Sequence, residues 1–323
     1  MRKLLFSVLF FMYFPSFFSL SAGNILWNIT PETSVVAGRS SEIVYPVGID
    51  HVNKYLSRLD WDIKPAWLIG LGASMETEKH FRVYADFQTA MPFSSGKMYD
   101  YDWLYTNLTD WSHRSEHNIT LGFSFIGDIG VDQSLAAGEN WLVRLGIGYH
   151  LDWWSWQDSM VQSVYTKENG NIYPNPPAPY QDGDPFRNSI QSYNGIKSIN
   201  YRIAYHVPYL SLFYKYSGKK AGFSGVFKIG PVIANGLDYH ILRGLYFYDL
   251  GIGGPWLSLD IRTMFLLSRR GKFYFSAGGV WIPEFSGSTT YYDEYGSNLG
   301  TVTGGGGFSF WRVNASIGYI FDI

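Results

Sequence analysis

Two short segments place polar groups two residues apart. "LDYH", Leu237 to His240, sets Asp238 and His240 at the end of the glycine-rich, apolar run "AGFSGVFKIGPVIANG" from Ala221 to Gly236, and "KMYDYDW" carries Asp100 and Asp102. In an extended chain, side chains at i and i+2 project from one face, so each pair can act as a unit. Asp238 can accept a hydrogen bond from one ring nitrogen of His240 and fix its tautomer, which leaves the other nitrogen to take a proton from water. Two adjacent carboxyls do not easily both ionise and tend to share a proton. A water held between the two pairs could attack a peptide carbonyl without a Ser or Cys nucleophile. The same residues also read as solvated charges at strand ends, or as a metal site of three Asp and one His, and spacing alone does not choose among these.

The elements that would carry these pairs are strands. The chain has 323 residues, 35 glycines, 19% aromatic and only 16% charged residues, a balance that suits tightly packed β-structure better than an ordinary soluble enzyme. With no cysteine, a disulfide scaffold, a thiol nucleophile and a Cys-ligated metal are excluded. A net charge of −2 with scattered basic residues lacks the footprint of a nucleic-acid binder. At the start, "MRKLLFSVLFFMYFPSFFSLSAG" has Arg2 and Lys3, an apolar run broken by Pro15 and a small-residue end, the pattern of a secretory signal peptide. Residues 1–23 are therefore read as the signal peptide and 24–323 as one mature domain. No later run has the roughly 18 to 20 apolar residues that a membrane helix requires.

Alternation with period two recurs instead. Trp311, Val313, Ala315, Ile317, Tyr319, Phe321 and Ile323 alternate with Arg312, Asn314, Ser316 and Gly318. The same holds for Val143 to Leu151 against Arg144 to Asp152, for Leu257, Leu259 and Ile261 against Ser258, Asp260 and Arg262, and for Leu121 to Val131 read as one segment. Aromatic clusters at 103–105, 153–156 and 246–248 suit a lipid interface, and tight turns such as "YSGKK" and "SRRGK" alternate with long polar loops. About ten strands are expected, near 31–48, 55–75, 79–94, 116–131, 140–156, 198–217, 221–238, 244–267, 272–287 and 306–323. The fold class is all-β: a ten-stranded antiparallel transmembrane β-barrel with long extracellular loops, in a bacterial outer membrane. Both polar pairs fall on its outward mouth. About ten strands leave little room for an aqueous channel, which disfavours a porin. "GGGG" at 304–307 reads as a flexible rim, and "DGD" at 182–184 lacks the spacing of a calcium loop.

At these residues the sequence resembles the omptin family of outer-membrane aspartyl endopeptidases. "SGKMYDYDW" resembles the segment carrying that family's aspartate pair and "LDYH" the segment carrying its Asp-His dyad. "SEIVY" at 41–45, "SRLDWD" at 57–62 and "VPYLSLFYKY" at 207–216 match in family order. The resemblance implies an endopeptidase groove at the extracellular mouth that cleaves polypeptides near basic residues. Asp238 and His240 would activate water, and Asp100 and Asp102 would orient it and stabilise the oxyanion. Glu42 matches the acid that receives the basic side chain N-terminal to the cleaved bond, and Ser115 a serine beside the active site. Neither a metal nor another cofactor is implied, but outer-membrane lipopolysaccharide is, as an activator. Three departures stand out. Gly236 replaces a second acid in the basic-residue pocket, which predicts weaker selection for Arg or Lys. His113 stands where an acid serves the other side of the scissile bond. Leu151 and Trp153 stand where an acid and an arginine hold lipid, and Asp249 near where a lysine would, so lipid activation is expected to differ or be absent. The alternative reading is a catalytically silent barrel of this fold acting as an adhesin or host-protein-binding surface protein.

Overall fold

The computed structural model describes residues 25–78, 81–92, 94–104, 111–165, 189–268 and 271–323. The expected signal peptide and Asp182 to Asp184 lie outside the described residues. Thirteen strands form one antiparallel sheet: β1 (Ile25–Val44), β2 (Ser57–Thr77), β3 (Phe81–Ala90), β4 (Ser94–Asp102), β5 (His113–Leu121), β6 (Phe125–Ala137), β7 (Trp141–Tyr165), β8 (Ser189–Ile196), β9 (Ile199–Ser217), β10 (Ala221–His240), β11 (Leu245–Ser268), β12 (Gly271–Asp293) and β13 (Asn298–Asp322). Three barrel strands are each built from two pieces. β3 and β4 pair with the two halves of β2, β5 and β6 pair with the two halves of β7, and β8 and β9 share the far side of β7. The result is a ring of ten, closed by β1 against β13 with Asn28 opposite Asp322 and Val44 opposite Gly306. Closure leaves no unpaired edge, which is what permits strands to cross a lipid bilayer.

The apolar face of each alternating strand points outward. Trp311, Val313 and Ile317 on β13, Leu259 and Ile261 on β11, and Leu145 and Ile147 on β7 are exposed, whereas Arg312, Arg144, His150 and Asp152 between them are buried in the lumen. On β10 the exposed band runs from Phe223 to Ile233. That is about the 9–11 residues a tilted strand needs to cross the hydrocarbon core. Above it the outer wall turns polar, with Arg39 paired to Asp60 and Asp62. The mouth beyond this belt bears the longer connections, the end that faces outward in such barrels.

Three layers follow one another up the lumen. The membrane level is a polar network, in which Asp128 bonds Lys228 and His150, and Asp152 bonds His150 and Arg312. Next come Trp61, Trp154, Trp156, Tyr205, Phe308 and Phe310, all buried, with Trp61 stacked on Tyr201 at 5.1 Å. Nearer the mouth lie Glu42 of β1, Asp100 of β4, Asp158 of β7, Asp238 of β10 and Asp249 of β11. The aromatic layer floors this acidic level and separates it from the polar lumen below.

Several expectations need correction. The third strand does not end near residue 94: the chain resumes as β4 after a register shift between Ser94 and Gly96, where Gly96 takes φ 107°, so Asp100 and Asp102 lie within a strand. Leu121 to Val131 is not one segment. The ladder breaks at residues 122–124, and inward positions are odd on β5 but even on β6, so Leu121 is buried while Phe123 and Ile129 are exposed. The 153–156 cluster is not an interfacial belt, because Trp154 and Trp156 point into the lumen. Gly304 to Gly307 belong to β13 and are no flexible rim: a Cβ at Gly306 would meet Thr289 Oγ1 at 2.6 Å, and one at Gly307 would meet Tyr45 at 2.5 Å. Two of the outward connections, 241–244 and 294–297, are tight turns, and β7, β12 and β13 themselves extend past the membrane.

Candidate active site

β10 ends in the dyad. Asp238 and His240 share its inward face, opposite Phe247 and Leu245 of β11 and Tyr201 and Ile199 of β9. The tight turn after it, with Gly244 at φ 61°, is tied down by the Ile241 N–H to the Ser198 carbonyl at 2.8 Å. His240 Nε2 lies 2.6 Å from Asp238 Oδ2. With Nε2–H donating, Nδ1 is the nitrogen that accepts a proton. The imidazole also leans on the Phe247 ring at 4.8 Å. Asp238 is almost fully buried and its Oδ1 has no hydrogen-bond partner. Burial raises its carboxyl above the usual range, against the opposing pull of His240.

The second pair comes from β4. Asp100 faces Ser115 of β5 and Leu59 of β2, and Asp102 faces His113 and Ser57. Ser57 Oγ donates to Asp100 Oδ1 at 3.3 Å. Burial, then the charges of Asp102 and Asp238, hold Asp100 well above the ordinary carboxylate range, and burial also raises Asp102. Asp100 feels Asp238, Asp102 feels His240, and Arg243 acts on all three aspartates. Barrel closure has brought the third and seventh barrel strands to a common polar cluster. Burial and mutual repulsion in it favour the protonated form of the Asp100–Asp102 pair. Among the described residues no three His, Asp or Glu side chains converge as metal ligands do.

The flanking positions sort differently. Ser115 sits beside Asp100, and its Oγ contacts His117 Nε2 at 2.6 Å. His117 Nδ1 bonds Asp158, which accepts the Ser198 and Ile199 N–H groups at 2.8 and 2.7 Å. This chain, from half-buried Ser115 and buried His117 of β5 through buried Asp158 of β7 to Ser198 just before β9, braces the wall beside the aspartate pair. His117, Asp158 and Ser198 lie far apart in sequence, and no spacing could have flagged them. His113 is bonded to Ser112 Oγ at 2.9 Å beside Asp102.

Glu42 projects from β1 into the same level, buried. Burial, then Asp238 and Asp249, push its carboxyl well above the normal range. Asp249 is not on the outer wall, where continuing the alternation of Leu257 to Ile261 would put it. β11 bulges at Gly253 and Gly254, both at positive φ, and the register shifts opposite Pro231 and Val232. The extra residue reverses the inward parity, so Asp249 enters the lumen opposite Gly236 and is buried beside Glu42. Leu151 and Trp153 do face outward, Trp153 stacked on Phe125 at 5.8 Å.

Comparison with known proteins accords with this arrangement. The model of the omptin family matches residues 27–323. The plasminogen activator of Yersinia pestis is 24% identical over 263 residues, 79% of this chain and 78% of that protein. Protease 7 of Escherichia coli K12 is 22% identical over 304 residues, 91% of this chain and 90% of its own length. The crystal structure of the outer membrane protease OmpT from Escherichia coli superposes with a TM-score of 0.81 at 19% identity, covering 92% of this chain and 97% of that one. A closed ten-stranded ring with an outward apolar band, matched to the family model over nearly its whole length, identifies the chain as a member of the omptin family, located in the outer membrane.

Proposed function

We propose that this barrel is an endopeptidase that hydrolyses peptide bonds beside basic residues at its extracellular mouth. The observation that carries the reading is the shared cluster of Asp238 and His240 with Asp100 and Asp102, in which Asp238 is buried and the other three are half-buried. A water between the pairs gives a proton to His240 Nδ1 as its oxygen bonds to the scissile carbonyl carbon. The imidazolium that forms is stabilised by Asp238 across the 2.6 Å contact. The carbonyl oxygen gains negative charge, and the proton kept by the Asp100–Asp102 pair stabilises it by hydrogen bonding. Collapse breaks the C–N bond, and the imidazolium proton passes to the leaving amine. The relatives named as proteases support peptide hydrolysis in general.

One feature favours a second reading: Ser115, His117 and Asp158 are connected in the order of a serine-protease triad. His117 is wholly buried and Asp100 stands beside Ser115, an arrangement suited to support more than to attack. The test is to refold residues 24–323 with and without lipopolysaccharide and follow cleavage of a peptide library. Both arms are needed because Leu151 and Trp153 offer a lipid phosphate no charge. Cleavage beside Arg or Lys, abolished by His240→Ala and retained to within about tenfold by Ser115→Ala, is expected. If Ser115→Ala is as inert as His240→Ala, the serine mechanism replaces the one above. A wild type that cuts nothing in either arm refutes the protease reading.

A further inference from the structure

Gly236 leaves a gap beside the dyad, and the groups around it are specific. A Cβ at Gly236 would lie 3.4 Å from Ile203 Cδ1, Phe308 Cε1 and Tyr201 Oη, which is ordinary contact, so these three border a slot with room for a side-chain carbon. At its end the buried carboxyls of Glu42 and Asp249 lie close together, and the charge of Asp249 adds to burial in raising Glu42. Glu42 Oε2 and Tyr201 Oη are buried with no hydrogen-bond partner. Among the described residues no Lys, Arg or His forms an ion pair with Glu42 or Asp249. Two buried carboxyls, an unpaired acceptor and an idle phenol are costly unless something cationic completes them.

The position of Asp249 is built, not incidental. The β11 bulge turns it inward, Thr289 Oγ1 donates to its Oδ1, and Gly306 allows the approach, since a Cβ there would stand 2.9 Å from that oxygen. We propose that Asp249 supplies the second carboxylate of the basic-residue pocket, taking over from β11 the task that Gly236 cannot perform from β10. The inference rests on the endopeptidase reading for its substrate. The stem of a peptide arginine or lysine lies along Tyr201 and Phe308, and its charged head sits between Glu42 and Asp249. Gly236 thereby lengthens the slot rather than weakening selection for basic residues.

The test separates binding from cleavage. In a His240→Ala background, affinity is measured for a peptide carrying arginine and for its twin carrying citrulline, which keeps the shape and loses the charge. Arginine is expected to bind about 10- to 100-fold more tightly, as for a desolvated, hydrogen-bonded charge pair. Asp249→Asn should remove most of that preference without weakening the citrulline peptide. Gly236→Asp added to Asp249→Asn should restore it, because the slot accepts a Cβ. Equal weakening of both peptides by Asp249→Asn, or a preference left intact, overturns the proposal. A chain that binds with this preference yet cuts nothing in its wild-type form would fail the protease reading alone.

Discussion

Asp238→Asn is expected to lower activity while leaving the fold as stable or more stable. The replacement keeps the shape and a hydrogen-bond acceptor for His240 Nε2, now 2.6 Å from Asp238 Oδ2. What it discards is the charge that stabilises the imidazolium. With charge centres about 4 Å apart and an effective dielectric of about 20, that interaction is worth about 4 kcal/mol. Asp100 and the other neighbouring acids supply part of the same field, so about 2–4 kcal/mol is lost from the transition state, roughly 30- to 1,000-fold in kcat. Stability moves the other way. The Asp238 carboxyl is raised, chiefly by burial, so the native state holds its proton more tightly than the unfolded chain does. Ionising it therefore costs folding free energy as pH rises through and beyond the unfolded value near 3.9, and an amide escapes that cost. The assay pairs kcat on an arginine peptide with a urea titration of the barrel in lipid vesicles at pH 7. A fall of less than tenfold in kcat, or parallel losses of activity and stability, would refute the reasoning.

Two further outcomes follow from other parts of the molecule. Burial, opposed by the Thr289 hydrogen bond and reinforced by Asp238, raises the Asp249 carboxyl to about 7. Glu42 from β1, Asp238 from β10, Tyr201 from β9 and Thr289 from β12 face it. Because arginine binds the ionised pocket, affinity of the arginine peptide in His240→Ala should strengthen as pH rises towards about 7 and level off above it. A flat profile, or the same profile in Asp249→Asn, would show that this acid does not set the titration. On the lipid face, Leu259→Arg should cost about 2–4 kcal/mol by urea titration in vesicles, since Leu259 is 52% exposed on the outward side. An unchanged midpoint would mean that the band on β11 does not contact hydrocarbon.

Much of the barrel was legible from alternation. A strand repeats every two residues, so Trp311, Val313 and Ile317 had to share one face and Arg312 and Asn314 the other; the absence of a long apolar run pointed the apolar face to lipid or a second sheet. The same parity made Asp238 with His240, and Asp100 with Asp102, same-face pairs, and family resemblance gave them a chemistry. Tertiary structure decided what alternation cannot encode, namely where parity breaks and which strands share a level. The break at 122–124 buries Leu121 and exposes Phe123, and the β11 bulge turns Asp249 from the outer wall into the lumen beside Glu42. The chain Ser115–His117–Asp158–Ser198 exists because β5, β7 and β9 stand in register. Local periodicity fixes a side chain's direction only relative to its own neighbours, whereas bulges and interstrand register fix what it meets. For that reason the Asp238–His240 pair could be found in "LDYH", but Asp249, the acid opposite Gly236, only in the closed barrel.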